Sequence, residues 1–228
     1  MPESEVWKLS GSEARLNFAD LLATVDLNRP EQGLSALIYR GHSVPSTALL
    51  GVHFPGQSAP PVADAYVRQR DLVVTYVQSP ALPIRLQVYW RAASGPQSTP
   101  AIDLQVSIQT NLLDSHPRLW TTTSLGDAEP IRFGHEADTA EQTPAPRYDL
   151  FRPAGTDFSY VEMIHPADDA GGANEVGRIS RELFAAFLEK GVILRARLRG
   201  VFLPRHGDAE LAAEAYQQFL AAPPPLTT

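Results

Sequence analysis

Residues 191–208 read GVILRARLRGVFLPRHGD and place arginines at 195, 197 and 199. In an extended strand alternate side chains share a face, about 6.5–7 Å apart. Arg195, Arg197 and Arg199 therefore form a cationic stripe, backed by Leu194, Ala196 and Leu198. Three guanidiniums in a row repel one another unless anions screen them. They suit bidentate hydrogen bonding to carboxylate, sulfate or phosphate. The commoner arrangement pairs such arginines with Asp and Glu of a neighbouring strand, where each surface pair contributes little.

A second candidate surface lies in IRLQVYWRA. Ile84, Leu86, Val88 and Trp90 form one face, and Arg85, Gln87, Tyr89 and Arg91 the other. Rings that cover apolar sugar faces, beside amides and guanidiniums that bond hydroxyls, use the amphipathic logic that enriches Tyr and Arg in interfaces. Pairing of this strand with the arginine strand would unite both sets in one site. Otherwise the four residues are an ordinary half-exposed sheet face.

Acid–base chemistry needs two titratable groups within reach of one substrate. In YVEMIHPADDAGGANE, Glu162 shares a face with Tyr160 and Ile164, whereas His165 falls with Val161 and Met163. A bulge or the turn at Pro166 would have to re-aim the histidine for the two to cooperate. His116, His165 and His206 each sit beside a turn, in DSHP, MIHP and PRHGD, and loops at the ends of a scaffold are where function concentrates. An enzyme reading takes Glu162 as base and one of these three histidines as acid. Asp168, Asp169, Asn174 and Glu175 surround a glycine pair but lack calcium-loop spacing, so a solvated loop is expected. No helical His pair, GxSxG elbow, phosphate loop or dinucleotide fingerprint occurs. No metal and no cofactor are expected.

The elements that must carry these residues are short. Twenty prolines and 15 glycines are scattered through the chain and fence off segments rich in Val, Ile, Leu, Thr, Tyr and Trp. EVWKLSG, LLATVDL, GLSALIYRG, DLVVTYV, IRLQVYWRA, IDLQVSIQT, RLWTTTSL and FSYVEMIH read as strands. DLVVTYV and IRLQVYWRA form a hairpin joined by QSPALP. IDLQVSIQT alternates Ile102, Leu104, Val106 and Ile108 with Asp103, Gln105, Ser107 and Gln109, the mark of a half-buried antiparallel strand. Residues 126–147 read as a long polar loop. Ser180 as N-cap, Lys190 in the last turn and Gly191 as stop predict a helix over 180–190, with Leu183, Phe184, Phe187 and Leu188 as its stripe. A second helix spans 208–221 and ends before Pro223. The fold expected is one antiparallel β-sandwich with one or two C-terminal helices.

Composition bounds the function. The chain has 228 residues, 26 Asp and Glu against 19 Lys and Arg, and no cysteine. Thiol catalysis, thiolate metal sites and disulfides are excluded. The acidic balance opposes non-specific nucleic-acid binding, which depends on counterion release by a cationic surface. No signal sequence or apolar run of about 20 residues is present, so a cytoplasmic protein without membrane contact is expected.

LLATVDLNRPEQGLSALIYRG, with its strand, turn and GL..L leading into a second strand, resembles the opening meander of the galactose-mutarotase-like supersandwich superfamily. DAYVRQRDLVVTYVQ and LPIRLQVYWRA are similar to its broad β-layers, so the resemblance covers about the first 125 residues. It implies a supersandwich and a sugar-related role. The superfamily's Asn-His pair is absent, because Asn111 is followed by Leu112 in QTNLLDSHP, and no catalytic residue carries over. Three functions follow as expectations. The first is non-catalytic binding of a sugar or acidic sugar by Arg195, Arg197 and Arg199 with Arg85, Gln87, Tyr89 and Arg91. The second is an epimerase-like enzyme using Glu162 and a histidine. The third is an assembly protein whose arginine stripe is a homodimer interface.

Overall fold

Period-two burial governs nearly every element. The computed structural model describes residues 5–54, 58–80, 82–133, 147–175, 177–184 and 186–223. β1 (Trp7–Ser10), β2 (Glu13–Phe18), β3 (Leu21–Asp26), β4 (Ser35–Tyr39) and β5 (His42–Val44) form a five-stranded antiparallel meander. β6 (Thr47–His53), β11 (Leu119–Leu125), β16 (Arg178–Leu183) and β15 (Gly172–Glu175) form a four-stranded sheet in the order β15-β16-β11-β6. The largest sheet comprises β7 (Val62–Arg68), β8 (Asp71–Tyr76), β9 (Ile84–Ser94), β10 (Pro100–Thr110), β12 (Pro130–Phe133), β13 (Tyr148–Phe151), β14 (Phe158–Ile164) and β17 (Ile193–Pro204). Its order is β12-β13-β14-β17-β10-β9-β8-β7. The sheets are antiparallel, and the architecture is the expected β-sandwich.

The main core lies where the inner face of the eight-stranded sheet meets the other two. Leu86, Val88, Trp90, Leu104, Val106 and Leu198 are buried there with Trp7, Leu37, Leu119 and Ile179. Trp90 Nε1 donates to the Leu50 carbonyl at 3.3 Å, so even its polar atom is satisfied. The outer face of the same sheet is divided. α1 (Asp208–Ala221) covers Leu150, Val161, Met163, Val201 and Leu203 with Ala212, Ala215, Tyr216 and Phe219. Asp208 in its first turn favours the positive end of the helix dipole. Its carboxylate also takes two hydrogen bonds from Arg152, at 2.9 and 2.7 Å, and one from Ser159 at 2.6 Å. Among the described residues the rest of the outer face carries no helix.

Three expectations about elements are corrected. The helix over 180–190 does not form: Arg178–Leu183 is β16, paired with β11 and β15. Ile179, Arg181 and Leu183 are buried in alternation, and strand pairing on both sides outweighs a helix pattern too short to be stable alone. Within 126–147, Pro130–Phe133 is strand β12 and residues 134–146 lie outside the described residues. Likewise Gly172–Glu175, expected in a solvated loop, pairs as β15. The helix over 208–221 is present as expected. Among the described residues no helix is long and apolar enough to cross a membrane.

Candidate functional site

The two predicted polar strands do not pair; β10 lies between them, bonded to β9 on one side and β17 on the other. Residues directly opposite in a ladder point to the same side, so both sets nonetheless share the outer face. Three rows cross it. Asp71, Arg91, Asp103 and Arg199 form the first, Val73, Tyr89, Gln105 and Arg197 the second, and Thr75, Gln87, Ser107 and Arg195 the third.

The first row is closed by its own charges. Arg91 bonds both Asp71 oxygens, at 2.6 and 2.9 Å, and Arg199 both Asp103 oxygens, at 2.5 and 2.9 Å. The Asp71 hydrogen bond raises the Arg91 pKa above its ordinary value. Tyr89 of the second row donates to Gln87 of the third at 3.1 Å, and Gln87 donates to Thr75 at 3.1 Å. Burial raises the Tyr89 phenol despite the nearby Arg68 and Arg195 cations. Arg85 and Arg195 are exposed and have no ion-pair partner among the described residues.

Arg197 is held differently. It donates to the Ala222 carbonyl at 2.8 Å, just past the end of α1, where unsatisfied carbonyls favour cations. Its guanidinium and that of Arg199 lie 5.2 and 5.4 Å from the Phe219 ring centre, and the His165 ring packs edge-on to Phe219 at 6.3 Å. One aromatic residue of α1 thus organises two predicted arginines and one predicted histidine. Burial lowers the Arg197 pKa.

Where β14 ends, the chain turns through Pro166–Asp168, and Asp168 Oδ2 accepts the Arg197 N–H at 3.0 Å. His165 Nδ1 accepts the Ala167 N–H at 3.3 Å, so the neutral ring carries its proton on Nε2. Burial and the Arg197 charge lower the His165 pKa, opposed by Asp168. Burial raises the Asp168 pKa against the pull of the Arg197 N–H and the neighbouring cations. His165, Asp168, Arg195, Arg197 and Gln105 line a cavity of about 240 Å3. Gln105 is only 4% exposed, and its Nε2 has no hydrogen-bond partner among the described residues. A buried donor left unpaired costs about 1–3 kcal/mol, so this amide is a marked feature of the cavity.

The other candidates lie elsewhere. Glu162 is 0% exposed and faces the inner side of the sheet. Its Oε2 accepts from Thr123 at 2.5 Å and Tyr160 at 3.2 Å, and its Oε1 lies 4.0 Å from Arg181 Nε. Arg181 also bonds Asp149. Burial pushes the Glu162 pKa up to about 6, with Arg181 and Thr123 opposing. Among the described residues no hydrogen bond or ion pair joins Glu162 to a histidine; its carboxylate is held by Thr123, Tyr160 and Arg181 instead. His116 stands 3.5 Å from Asp114 and edge-on to Phe187, and His206 is exposed at the turn into α1. Asp169, considered as an oxygen ligand, pairs with Arg147 at 3.1 Å. Among the described residues no three His, Asp or Glu side chains gather as a metal-ligand set.

Sequence reasoning missed Gln105, Phe219 and the role of Asp168. Gln105 reads as one of four outward polar residues, and only the register of three strands singles it out. Phe219 reads as part of a helix's apolar face, which it is.

No family model matches the chain, and no curated protein matches it in sequence. Solved structures do resemble it. A protein assigned as a kojibiose phosphorylase from the human microbiome aligns at TM-score 0.54 and 8% identity, over 93% of this chain and 32% of that one. A mutant heparan sulfate lyase from Pedobacter heparinus aligns at 0.55 and 8% identity, over 88% and 37%. A protein assigned as an aldose 1-epimerase from Escherichia coli K12 aligns at 0.49 and 10%, over 83% and 98%. The chain is a β-sandwich of a fold shared with sugar-active enzymes. It spans about a third of the length of the phosphorylase and the lyase.

Proposed function

We propose that this chain binds a sugar or acidic sugar, without transforming it, at the cavity lined by Arg195, Arg197 and Gln105. The observation that carries this reading is the buried Gln105 amide, its Nε2 without a partner among the described residues, lining a cavity beside two guanidiniums. An amide donor and two cations match a ring bearing hydroxyls and a carboxylate. The fold shared with a phosphorylase and a lyase of saccharides supports the ligand class.

The test is thermal unfolding against uronates, neutral hexoses, sulfate and phosphate at constant ionic strength. Ligand at about 100 times its Kd stabilises by about 2.7 kcal/mol, which shifts Tm by about 5–10 °C at this chain length. Uronates are expected to give that shift, and Arg195→Ala and Gln105→Leu to abolish it. No shift with any sugar overturns the proposal.

A catalytic reading has one observation in its favour: His165 and Asp168 line the same cavity. Asp168 then stands where Glu162 was expected. Polarimetry of uronate anomers would reveal it as an accelerated approach to equilibrium that His165→Ala removes.

A further inference from the structure

Arg195 stands where the eight-stranded sheet opens. β14 pairs with β17 only as far as Ile164 opposite Leu198. Beyond that point His165 N–H donates to the Arg197 carbonyl at 3.4 Å, and the Asp168 carboxylate takes the Arg197 N–H. These two bonds finish the ladder. By the two-residue period of a strand, the main-chain N–H and carbonyl of Arg195 face the same edge, in a stretch that β14 has already left.

Two cavities flank this opening. The one of about 240 Å3 has the polar side chains Gln105, His165 and Arg197 in its wall. The other, of about 320 Å3, is walled by Phe184, Ala186, Leu194 and Ala170, with Asp169 beside them. Ala167, Asp168, Arg195 and Ala196 belong to both walls. The cavities therefore adjoin across Asp168 and Arg195; apolar surface predominates in both, the first set apart by the guanidinium and amide of Arg197 and Gln105, the second by Phe184 and Leu194. Pockets for drug-sized ligands run about 300–1,000 Å3, so the smaller compartment suits one ring and the pair suits two.

We infer that, given the sugar-binding reading above, the ligand is a two-part acidic glycoside. Its acidic ring occupies the compartment of Gln105, Arg195 and Arg197, and an apolar second unit lies against Phe184 and Leu194. The linkage between them passes Asp168, whose carboxylate accepts from ring hydroxyls on either side. Arg195 serves the acidic group with its guanidinium and offers its main-chain edge to the linkage. A free acidic sugar fills only the smaller compartment.

Calorimetric titration of the full chain with sodium glucuronate, 4-nitrophenyl β-D-glucuronide and 4-nitrophenyl β-D-glucoside tests this. The aryl glucuronide is expected to bind at least about tenfold more tightly than glucuronate, and the neutral aryl glucoside more weakly than the aryl glucuronide. Ala186 is exposed at the apolar wall. Ala186→Trp is expected to erase the tenfold advantage while leaving glucuronate affinity within about twofold. If glucuronate binds and the aryl glucuronide binds no better, the two-part ligand is overturned and the sugar-binding reading survives. An aryl glucoside as tight as the glucuronide overturns the placement of the acidic ring. Failure of both acids to bind overturns both. Should Ala186→Trp not fold, the affinity ratio in the unaltered chain decides.

Discussion

Two arginines on one face of a strand have different fates because of what stands opposite them. Arg199 faces Asp103 and is neutralised by a bidentate pair; Arg195 faces Ser107 and has no ion-pair partner among the described residues. The same reasoning applies to Glu162, which faces Asp149 on one side and Gly200 on the other. Burial raises its pKa from 4.5 to about 6, against the pull of Arg181, Thr123 and Tyr160 and with the push of Asp149. A carboxyl with a raised folded pKa binds protons better in the native state. Its contribution to stability is full below pH 4.5 and is lost as pH rises through about 6. The loss amounts to about 2 kcal/mol. Glu162→Gln should remove it, so the stability difference between parent and variant in urea should shift by that amount from pH 4.5 to 7. A constant difference across this window would refute the raised pKa.

At the scale of elements, the end of α1 matters more than its length. Phe219 sits in the packing between helix and sheet, and on its ring rest Arg197, Arg199 and His165. Phe219→Ala removes a buried ring and should cost about 3–5 kcal/mol, read as a lowered midpoint in chemical denaturation. The same substitution frees the Arg197 guanidinium from its stack. Uronate affinity should then fall under conditions where the variant is still folded by circular dichroism. β17 is similarly constrained at Gly200: a Cβ there would overlap the Tyr160 ring and hydroxyl. The glycine lets Tyr160 lie across the strand and reach Glu162.

At the scale of the molecule, a buried polar network ties two sheets together. Arg181 belongs to the four-stranded sheet, whereas Asp149, Glu162 and Tyr160 belong to the eight-stranded one; Thr123 returns to the first. Removing one partner of a buried ion pair costs about 3–5 kcal/mol, because the charges left behind are uncompensated. Arg181→Ala should therefore lower stability by about 3 kcal/mol at pH 7. The deficit should shrink toward pH 5, where Glu162 takes up its proton. Equal deficits at the two pH values would show that Arg181 acts through packing alone.

The sequence by itself determined the sandwich. Period-two alternation in IRLQVYWRA and IDLQVSIQT told which residues turn inward, because an amphipathic strand has only one face it can bury. It also marked Arg195, Arg197 and Arg199 as a stripe and 208–221 as a helix. Only the tertiary structure decided the rest. Strand order is a long-range choice that alternation does not encode, so β10 between β9 and β17 was not legible, nor was Gln105 at the centre of the polar face. The helix pattern over 180–190 lost to sheet pairing for the same reason: the partners of β16 lie more than 50 residues upstream in β11 as well as beside it in β15. Glu162 looked like a base because the sequence shows a carboxylate near a histidine. The sheet's two faces send those side chains to opposite sides, one into the core and the other to the cavity.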